Sequence, residues 1–318
     1  DYSQGSLISL ALSILLNAAL LLIILIRIDK VTSYRRFFYF YALLDVVFSV
    51  AQYITVPLFW SQKGLIVVVA ASKDSTNILL MKVGMALWLL VFMLIAILVA
   101  ASFVYRYAAA SGSSILLSLF ERPGIMFMVV ILSLCATCGP LMVLYTIGYP
   151  PTRAARVEMS HQLNQDYGVN YVRGFFIGAD FIDTTSYNAS LGVIVITAAI
   201  VLIFVISAIV IIICMVGILR VIATKKRGGE KRREIKQSLK RLICQALNPL
   251  IFLYLPVFYR VITFVIDFPN PEIVHWILSF FFLVFPVLNP LIILGLTTEY
   301  RVYIVNFFKD SAGLFCQP

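Results

Sequence analysis

The chain has 318 residues, of which 62% are hydrophobic and 13% are charged, and its formal net charge is +10. Soluble domains are typically about 45–50% apolar and about 25% charged, so this composition excludes a soluble globular protein. The 16 glycines, 12 prolines and 5 cysteines also exclude collagen-like, disordered and disulfide-stapled chains. We therefore interpret the chain as an integral membrane protein.

Seven long apolar segments follow one another along the chain, and each can cross a membrane as a helix of about 20 residues. Six contain a charge-free run, and the second contains one charge, that of Asp45. None alternates with a period of two, which disfavours a transmembrane barrel. The predicted fold is an all-α membrane protein, a seven-transmembrane helix bundle forming a single domain, 1–318. The predicted spans are residues 5–27, 36–60, 78–106, 123–147, 189–222, 240–266 and 273–297.

Basic residues predict the orientation of this bundle. Of the 25 lysines and arginines, 18 lie on one side of the predicted membrane and 7 on the other. The positive-inside rule makes the richer side cytoplasmic, so the amino terminus is predicted outside and the carboxyl terminus inside. The positive charge is thus a topology signal that attracts anionic membrane lipid, and it is not a nucleic-acid footprint.

Two connections between the spans are long. Residues 148–188 form a predicted outer loop, whose apolar middle we expect to fold over the mouth of the bundle, partly as a hairpin. Residues 223–239 form a basic cytoplasmic loop. After the last span, residues 298–310 are predicted to form a short amphipathic helix on the cytoplasmic side.

Two residues are candidates for covalent modification. Asn188 opens an Asn-Ala-Ser sequon on the outer face, close to the membrane, and is a candidate glycosylation site. Cys316, behind the amphipathic segment, is a candidate for lipidation, with a free thiol as the alternative. No cysteine lies on the outer side, so no disulfide is predicted to hold the long outer loop.

Three polar residues fall at similar depth inside the spans: Asn17 in the first, Asp45 in the second and Asn289 in the seventh. Polar groups are costly in hydrocarbon and are functional candidates by default. A lone buried carboxylate must also be protonated or have a partner. We therefore predict a buried switch cluster, with mutual satisfaction of the two asparagines as the purely structural alternative.

Prolines interrupt the last two spans. Pro249 and Pro256 lie in the sixth span, and Pro286 and Pro290 in the seventh. Each removes a backbone hydrogen bond and kinks its helix. Together with the basic extension of the sixth span, they fit a bundle that opens on the cytoplasmic face, and we include Pro256 and Pro290 among the candidate switch residues.

No catalytic or metal-binding constellation accompanies these features. The two histidines, His161 and His275, are distant in sequence, and the chain has no HExxH, GxSxG or glycine-rich phosphate motif. Cys135 and Cys138 have no histidine or carboxylate near them. We predict no enzymatic activity, no cofactor and no metal site.

The outer halves of spans two, three, six and seven carry aromatic and apolar residues with a few hydrogen-bonding groups, as small-molecule pockets do. The candidate ligand-binding residues are Gln52, Tyr53, Met85, Trp88, Phe92, Tyr254, Phe258, His275, Trp276, Ser279 and Phe280. No carboxylate lies at that depth, so the predicted ligand is small, hydrophobic and mostly uncharged. Lys82 and Arg260 could pair with a carboxylate, which makes an acidic compound the alternative among charged ligands.

Short motifs run in a fixed order from the second span to the tail. They are Ser33-Tyr34-Arg35-Arg36, Val56-Pro57, Phe103-Val104-Tyr105-Arg106-Tyr107, Tyr254-Leu255-Pro256, Phe285-Pro286-x-x-Asn289-Pro290 and Glu299-Tyr300-Arg301. Taken together, they resemble the nematode seven-transmembrane chemoreceptors of the Str group. Asn289-Pro290 departs from the Asp-Pro of many relatives and is more similar to the Asn-Pro of rhodopsin-type receptors.

The resemblance implies a G-protein-coupled receptor for a small-molecule odorant or pheromone, acting through a heterotrimeric G protein. It also implies a plasma-membrane location, in the ciliary membrane of a sensory neuron. It makes Arg106 the arginine that faces the G protein, with an arginine snorkelling to lipid headgroups as the alternative. The rival class is a seven-span ligand-gated channel or transporter, which needs a continuous polar stripe that these spans barely offer.

Overall fold

The fold is known from a computed structural model, and the helix ends are named outer and inner after the predicted orientation. The described residues are 2–26, 33–62, 65–70, 78–122, 124, 128, 131–135, 137–138, 176–180, 187–224, 243–266, 272–297, 300–303 and 305–306.

Six helices of the described chain are long and apolar enough to cross a membrane. Their lipid-facing surfaces carry exposed leucine and isoleucine side chains, as on Ile206 and Ile213. The helices are α1 (Tyr2–Ile26), α2 (Ser33–Thr55), α3 (Ile78–Ser111), the short α4 (Ser114–Glu121), α5 (Tyr187–Thr224), α6 (residues 243–266) and α7 (Glu272–Leu296). All but α4 are membrane-length helices, which confirms the predicted helical membrane fold.

The fourth predicted span, 123–147, lies largely outside the described residues. Those of its residues that are described, among them 131–135, are helical. The count of seven spans and the orientation of the ends therefore stay predictions. The predicted helix at 298–310 is described at residues 300–303 and 305–306, which are helical.

A three-stranded antiparallel sheet lies beyond the outer end of α2, where the sequence predicted helix up to residue 60. The strands are β1 (Pro57–Gln62), β2 (Leu65–Ala70) and β3 (Phe176–Asp180), in the order β1-β2-β3. Strands β1 and β2 form a hairpin. The described part of the long loop adds β3 to it, with Gly178 opposite Val67. Most of the long loop lies outside the described residues, so the hairpin predicted within it stays a prediction.

Helix α2 stops short of its predicted end because Pro57 follows. The residue before a proline is disfavoured in the helical region, and proline itself suits the first position of a strand. Val56, between the helix and Pro57, has φ of 47°, a strained conformation for a β-branched residue, and its N–H still donates to the Gln52 carbonyl at 2.7 Å.

Helix α3 is longer than predicted and ends in a glycine cap. Gly112 has φ of 77°, and its N–H donates to the Ala108 carbonyl at 3.0 Å. A glycine in the left-handed region terminates helices without steric cost. The chain then turns into α4, an inner helix that the sequence analysis did not predict.

Two glycines let the membrane helices approach closely. A Cβ on Gly84 of α3 would lie 2.8 Å from Thr55 of α2, and a Cβ on Gly217 of α5 would lie 2.6 Å from the Tyr107 ring of α3. Small residues at such crossings are the usual means of packing helices in membranes. They place α3 at the centre of the bundle, against both α2 and α5.

Helix α6 contains a π-helical turn between its two prolines. Residues 243–249 are α-helical, Leu250–Tyr254 form the π turn and Leu255–Ile266 are α-helical again. Within the turn, the Leu255 N–H donates to the Leu250 carbonyl. Such turns occur often at functional sites, and this one separates the outer and inner segments of the helix.

Candidate functional site

Five buried rings from four helices form an aromatic cluster in the outer half of the bundle. The cluster consists of Phe48, Trp88, Phe92, Phe204 and Phe282. Trp88 stacks on Phe92 with ring centroids 5.1 Å apart, and Phe282 meets both rings edge-on, at 5.7 and 5.5 Å. Phe92 continues the contact to Phe204 at 5.0 Å. The rings join α2, α3, α5 and α7 and close the bundle beneath its outer mouth.

Tyr254 connects this cluster to α6. Its ring meets Phe204 edge-on at 5.4 Å, and its hydroxyl lies 2.5 Å from Ser207 Oγ. Both hydroxyls reach the Ala96 carbonyl, Ser207 at 2.6 Å and Tyr254 at 3.2 Å. Because Tyr254 is the last residue of the π turn, this contact ties the turn to α3 and α5.

A small outer cleft lies between α6 and α7. Its walls are Pro256, Val257, Arg260, Leu278, Ser279 and Phe282. Arg260 and Ser279 are both buried. Phe282 belongs to both the cleft and the aromatic cluster, so a molecule in the cleft would touch a member of the cluster.

The predicted ligand residues whose burial is described fall into two groups, one buried or half-buried between the helices and one exposed. Gln52, Met85, Trp88, Phe92, Tyr254 and Ser279 are buried, and Phe258 is half-buried. Tyr53, Trp276 and Phe280 are 38%, 37% and 57% exposed, on the surface of the bundle. Successive residues of a helix are about 100° apart, so Gln52 and Tyr53 point in different directions. The ligand role of all these residues stays a prediction.

A polar contact at mid-depth joins α2 to α7. Asn289 Nδ2 donates to Asp45 Oδ2 at 2.7 Å. These are two of the three residues of the predicted cluster, and they are in direct contact. The Ser49 hydroxyl donates to the backbone carbonyl of Asp45 at 2.8 Å. Asp45 is completely buried, so its partner Asn289 satisfies one oxygen, Oδ2, of a carboxyl group that water does not reach.

Asn17 is linked to this contact through Ser13. Its Nδ2 donates to the Ser13 carbonyl at 2.9 Å, one turn earlier in α1, and the Ser13 hydroxyl lies 3.5 Å from the Asp45 carbonyl. The structure therefore brings Asp45 and Asn289 together directly and places Asn17 beside them. The predicted switch role of the three residues stays a prediction.

A small inner cleft lies below the polar contact. On one wall, an Arg106 guanidinium nitrogen donates to Gln245 Oε1, which joins α3 to α6. The Arg106 guanidinium carbon also lies 5.3 Å from the centroid of the Phe103 ring. The remaining lining residues are Phe38, Tyr41, Val99, Ser102, Pro249, Phe285, Asn289 and Ile293.

Four polar residues that bridge helices, Gln245, Ser207, Tyr41 and Ser102, were not among the candidates from the sequence. Gln245 binds Arg106, Ser207 contacts Tyr254, and the Tyr41 hydroxyl donates to Ser102 Oγ at 2.8 Å. Their polarity within long apolar spans was the one available signal. A serine or tyrosine in a membrane span is so common that this signal could not indicate a partner.

The remaining candidates lie as follows. Pro256 and Pro290 are buried in α6 and α7. Asn188 and His275 lie in the outer turns of α5 and α7, and Cys316 lies outside the described residues. Within the described ranges, no group of three His, Cys, Asp or Glu residues could hold a metal ion.

Comparison with known families finds a match over most of the chain. Residues 3–305 match the family described as Serpentine type 7TM GPCR chemoreceptor Str. The match extends from α1 past the end of α7. Comparison with curated proteins finds no match.

Proposed function

Because the chain belongs to the Str family of serpentine seven-transmembrane G-protein-coupled chemoreceptors, we propose that a small, mostly apolar molecule bound in the outer half of the bundle activates a heterotrimeric G protein at its inner end. The protein is a chemosensory membrane receptor of that family. The ligand in this proposal is an odorant or pheromone, and the receptor acts in the plasma membrane of a sensory cilium.

The observation that carries the proposal is an unbroken series of contacts between the two clefts. It begins at Phe282 in the outer cleft and continues through Phe92 and Phe204 to Tyr254. Tyr254 ends the π turn, and Pro249, at the other end of that turn, lines the inner cleft. A molecule that displaces Phe282 thus pushes on side chains that hold α6 in place.

The inner end of this series is the contact between Arg106 and Gln245. It holds α6 against α3, and it occupies the guanidinium that would otherwise face the cytoplasm. A hydrogen bond to a charged group contributes about 1.5–3 kcal/mol, enough to bias a two-state equilibrium roughly tenfold or more. Breaking it would remove this link between α3 and α6 and make Arg106 more accessible to a Gα subunit.

The ligand need only bind the open arrangement better than the closed one. A ligand shifts such an equilibrium by no more than its difference in affinity for the two states. The described rings are closely packed, so binding in the outer cleft requires Phe282 or its neighbours to move. That requirement supplies the difference in affinity.

A channel or transporter is the alternative class, and the described core gives it little support. The aromatic cluster closes the centre of the bundle, and the polar contacts around Asp45 are short-range bridges between helices. A conducting path needs polar groups along its length. In the proposed receptor, these contacts between helices act as switches instead.

The test is whether responses depend on G proteins. We would express the chain with a promiscuous Gα subunit, screen volatile and apolar compounds by calcium imaging, and repeat the screen in cells lacking Gα subunits. We expect responses only where a Gα subunit is present. Currents or calcium signals that persist without G proteins would favour the channel.

Tyr254→Phe tests the series of contacts within the receptor. The change removes one hydroxyl, while Ser207 keeps its bond to the Ala96 carbonyl, so no buried group loses its partner. Losing one such bond weakens the closed state by about 1 kcal/mol, and we expect basal signalling to rise roughly fivefold. If the basal signalling of the variant is unchanged at equal surface expression, Tyr254 does not belong to the series of contacts that transmits the signal.

A further inference from the structure

Resting on the proposed function, we infer that Asn248 of α6 opposes the contact between Arg106 and Gln245. The side-chain amide of Asn248 is buried without a hydrogen bond while the inner segment of α6, residues 243–249, lies against the bundle. When that segment moves outward on activation, the amide reaches water at the cytoplasmic end and forms its hydrogen bonds. Asn248 thereby sets how readily the receptor activates.

The first observation is the state of the Asn248 amide. The residue is 3% exposed, and neither its Nδ2 nor its Oδ1 makes a hydrogen bond. A carboxamide has two donors and an acceptor, and leaving them unpaired away from water is unfavourable. Almost all buried polar groups are paired, so an exception on a membrane-spanning helix requires an explanation. A second arrangement of the helix, in which the amide is satisfied, supplies one.

The second observation is the side of α6 on which Asn248 lies. Leu247 is exposed and Pro249 lines the inner cleft, so Asn248 lies between the outer surface of the bundle and the cleft. Phe252, four residues later and on the same face, contacts Phe281 of α7 with ring centroids 5.2 Å apart. Asn248 therefore faces α7 at the edge of the cleft, where an outward movement of the inner segment exposes it.

The third observation is the irregular backbone next to Asn248. Pro249 has no N–H, so the Gln245 carbonyl receives no hydrogen bond from the residue four positions later. The π turn then extends from Leu250 to Tyr254. The inner segment is thus joined to the rest of α6 through weakened backbone bonding, and Gln245 and Asn248 move with it together.

A second buried amide shows why the position of Asn248 matters. Neither side-chain polar atom of Gln52 makes a hydrogen bond either, but Gln52 lies on α2. A Cβ on Gly84 of α3 would lie 2.8 Å from Thr55 of α2, which leaves that helix little room to move. Asn248 instead belongs to a segment with a hinge beside it.

Gln245 and Asn248 act in opposite directions because they lie one turn apart on the same segment. In the closed arrangement, Gln245 accepts a hydrogen bond from Arg106 while the Asn248 amide is unsatisfied. Opening breaks the first contact and satisfies the second residue. The two arrangements therefore stay close in free energy, and a ligand with a modest difference in affinity can switch the receptor.

Cys244 reports the movement of the segment without a G protein. It is half-buried and directly precedes Gln245. Full-length receptor in detergent is treated with iodoacetamide, and peptide mass spectrometry follows the alkylation of each cysteine. The rate at Cys244 rises with the fraction of receptor whose inner segment has moved outward. Cys135, which is exposed, is the internal reference.

Asn248→Leu should slow the alkylation of Cys244 by about tenfold, equivalent to about 1.4 kcal/mol, because it removes the atoms that the closed arrangement leaves unpaired. Thr137→Val is the matched control. It also removes a buried polar group, but one that the Ser133 carbonyl of the same helix satisfies at 2.9 Å, so the rate at Cys244 should not change. Unchanged or faster alkylation in Asn248→Leu, or an equal slowing in Thr137→Val, overturns the inference.

Two further variants test the opposition between the residues. Gln245→Ala alone should speed the alkylation of Cys244, and its combination with Asn248→Leu should return the rate close to the native one. A double variant as fast as Gln245→Ala alone contradicts the inference. Asn248→Asp remains informative if the leucine variant does not fold. A carboxyl group is at least as costly to bury as an amide, so this variant should react at least as fast as the native receptor, and slower alkylation would refute the role of Asn248.

The outcomes for the two proposals are separable. Rates at Cys244 that follow these substitutions, in a receptor that never activates a G protein, would contradict the proposed function and leave the role of Asn248 in the movement of α6 standing. G-protein responses with equal basal level and agonist sensitivity in the native receptor and Asn248→Leu, together with unchanged alkylation of Cys244, would do the reverse.

Discussion

At the scale of single residues, Arg106 and Asp45 each take part in a side-chain contact between two helices. Arg106 joins α3 to α6 through Gln245, and Asp45 joins α2 to α7 through Asn289. Both contacts involve groups that are expensive to leave unpaired away from water. A change of helix position must therefore break or exchange them, which is what makes them candidate switches.

Arg106→Ala and Gln245→Ala should have opposite effects on signalling. The arginine variant loses the group proposed to face the G protein, so agonist-stimulated activation should be abolished or strongly reduced. The glutamine variant frees that group, so ligand-independent activation should rise by about tenfold, equivalent to about 1.4 kcal/mol. Second-messenger assays at matched surface expression measure both. Full activation by the arginine variant would refute its role.

Asp45→Asn should alter the maximal response more than the agonist concentration needed for half of it. Asparagine keeps an acceptor oxygen for Asn289 but cannot ionise, and the site lies well below the outer cleft. We expect the half-maximal concentration to change by less than about tenfold, or 1.4 kcal/mol. Ser49→Ala, which removes only a bond to the neighbouring backbone, is the matched control. A variant that reaches the surface but no longer binds agonist would show that Asp45 belongs to the ligand site.

At the scale of elements, the helices differ in how firmly they are held. Gly84 and Gly217 seat α3 tightly against α2 and α5, so these three helices form the fixed part of the bundle. Helix α6 instead has a π turn with prolines on both sides, where backbone bonding is weakest. Motion on activation should therefore concentrate in α6.

Gly217→Ala should destabilise the receptor, although alanine normally favours a helix. Its Cβ would lie 2.6 Å from the Tyr107 ring, and overpacking of this kind costs about 1–3 kcal/mol. Gly295→Ala is the control, because no atom lies within 4 Å of its Cβ, and it should gain up to about 1 kcal/mol. Unfolding temperatures of the purified proteins measure the difference. An equal or higher temperature for the Gly217 variant would contradict the tight α3–α5 contact.

At the scale of the whole molecule, charge distribution and fold give the receptor two different ends. Strand β1 contacts α6 and α7 at the outer end, beside the outer cleft. The inner end carries the cleft with Arg106 and, by the sequence prediction, 18 of the 25 basic residues. The ligand is thus expected to arrive from one side and the G protein from the other.

Epitope tags on the two ends test this orientation directly. A tag before Asp1 should be stained in intact cells, and a tag after Pro318 only after the cells are permeabilised. The physical reason is the positive-inside rule, which the bias of 18 basic residues to 7 satisfies strongly. Staining of the carboxyl-terminal tag in intact cells would invert the assignment of both clefts.

The sequence by itself determined the membrane class, most helix positions, the meeting of Asp45 with Asn289 and the family resemblance that the match over residues 3–305 confirms. Each of these depends on properties that are local in the chain. A long apolar run must form a helix in lipid, because no other local structure satisfies its backbone, and residues at equal depth can be matched by counting.

Only the tertiary structure decided which side of each helix faces inward. In a chain that is 62% hydrophobic, lipid-facing and core-facing residues are equally apolar, so the sequence carries no signal for the rotation of a helix about its axis. For this reason Gln52 could not be separated from Tyr53, or Arg260 from Lys82, before the helices were packed. The same applies to Gln245 as the partner of Arg106 and to β3 as the third strand of the outer sheet. Such contacts join residues distant in the chain, and packing rather than local hydropathy selects them.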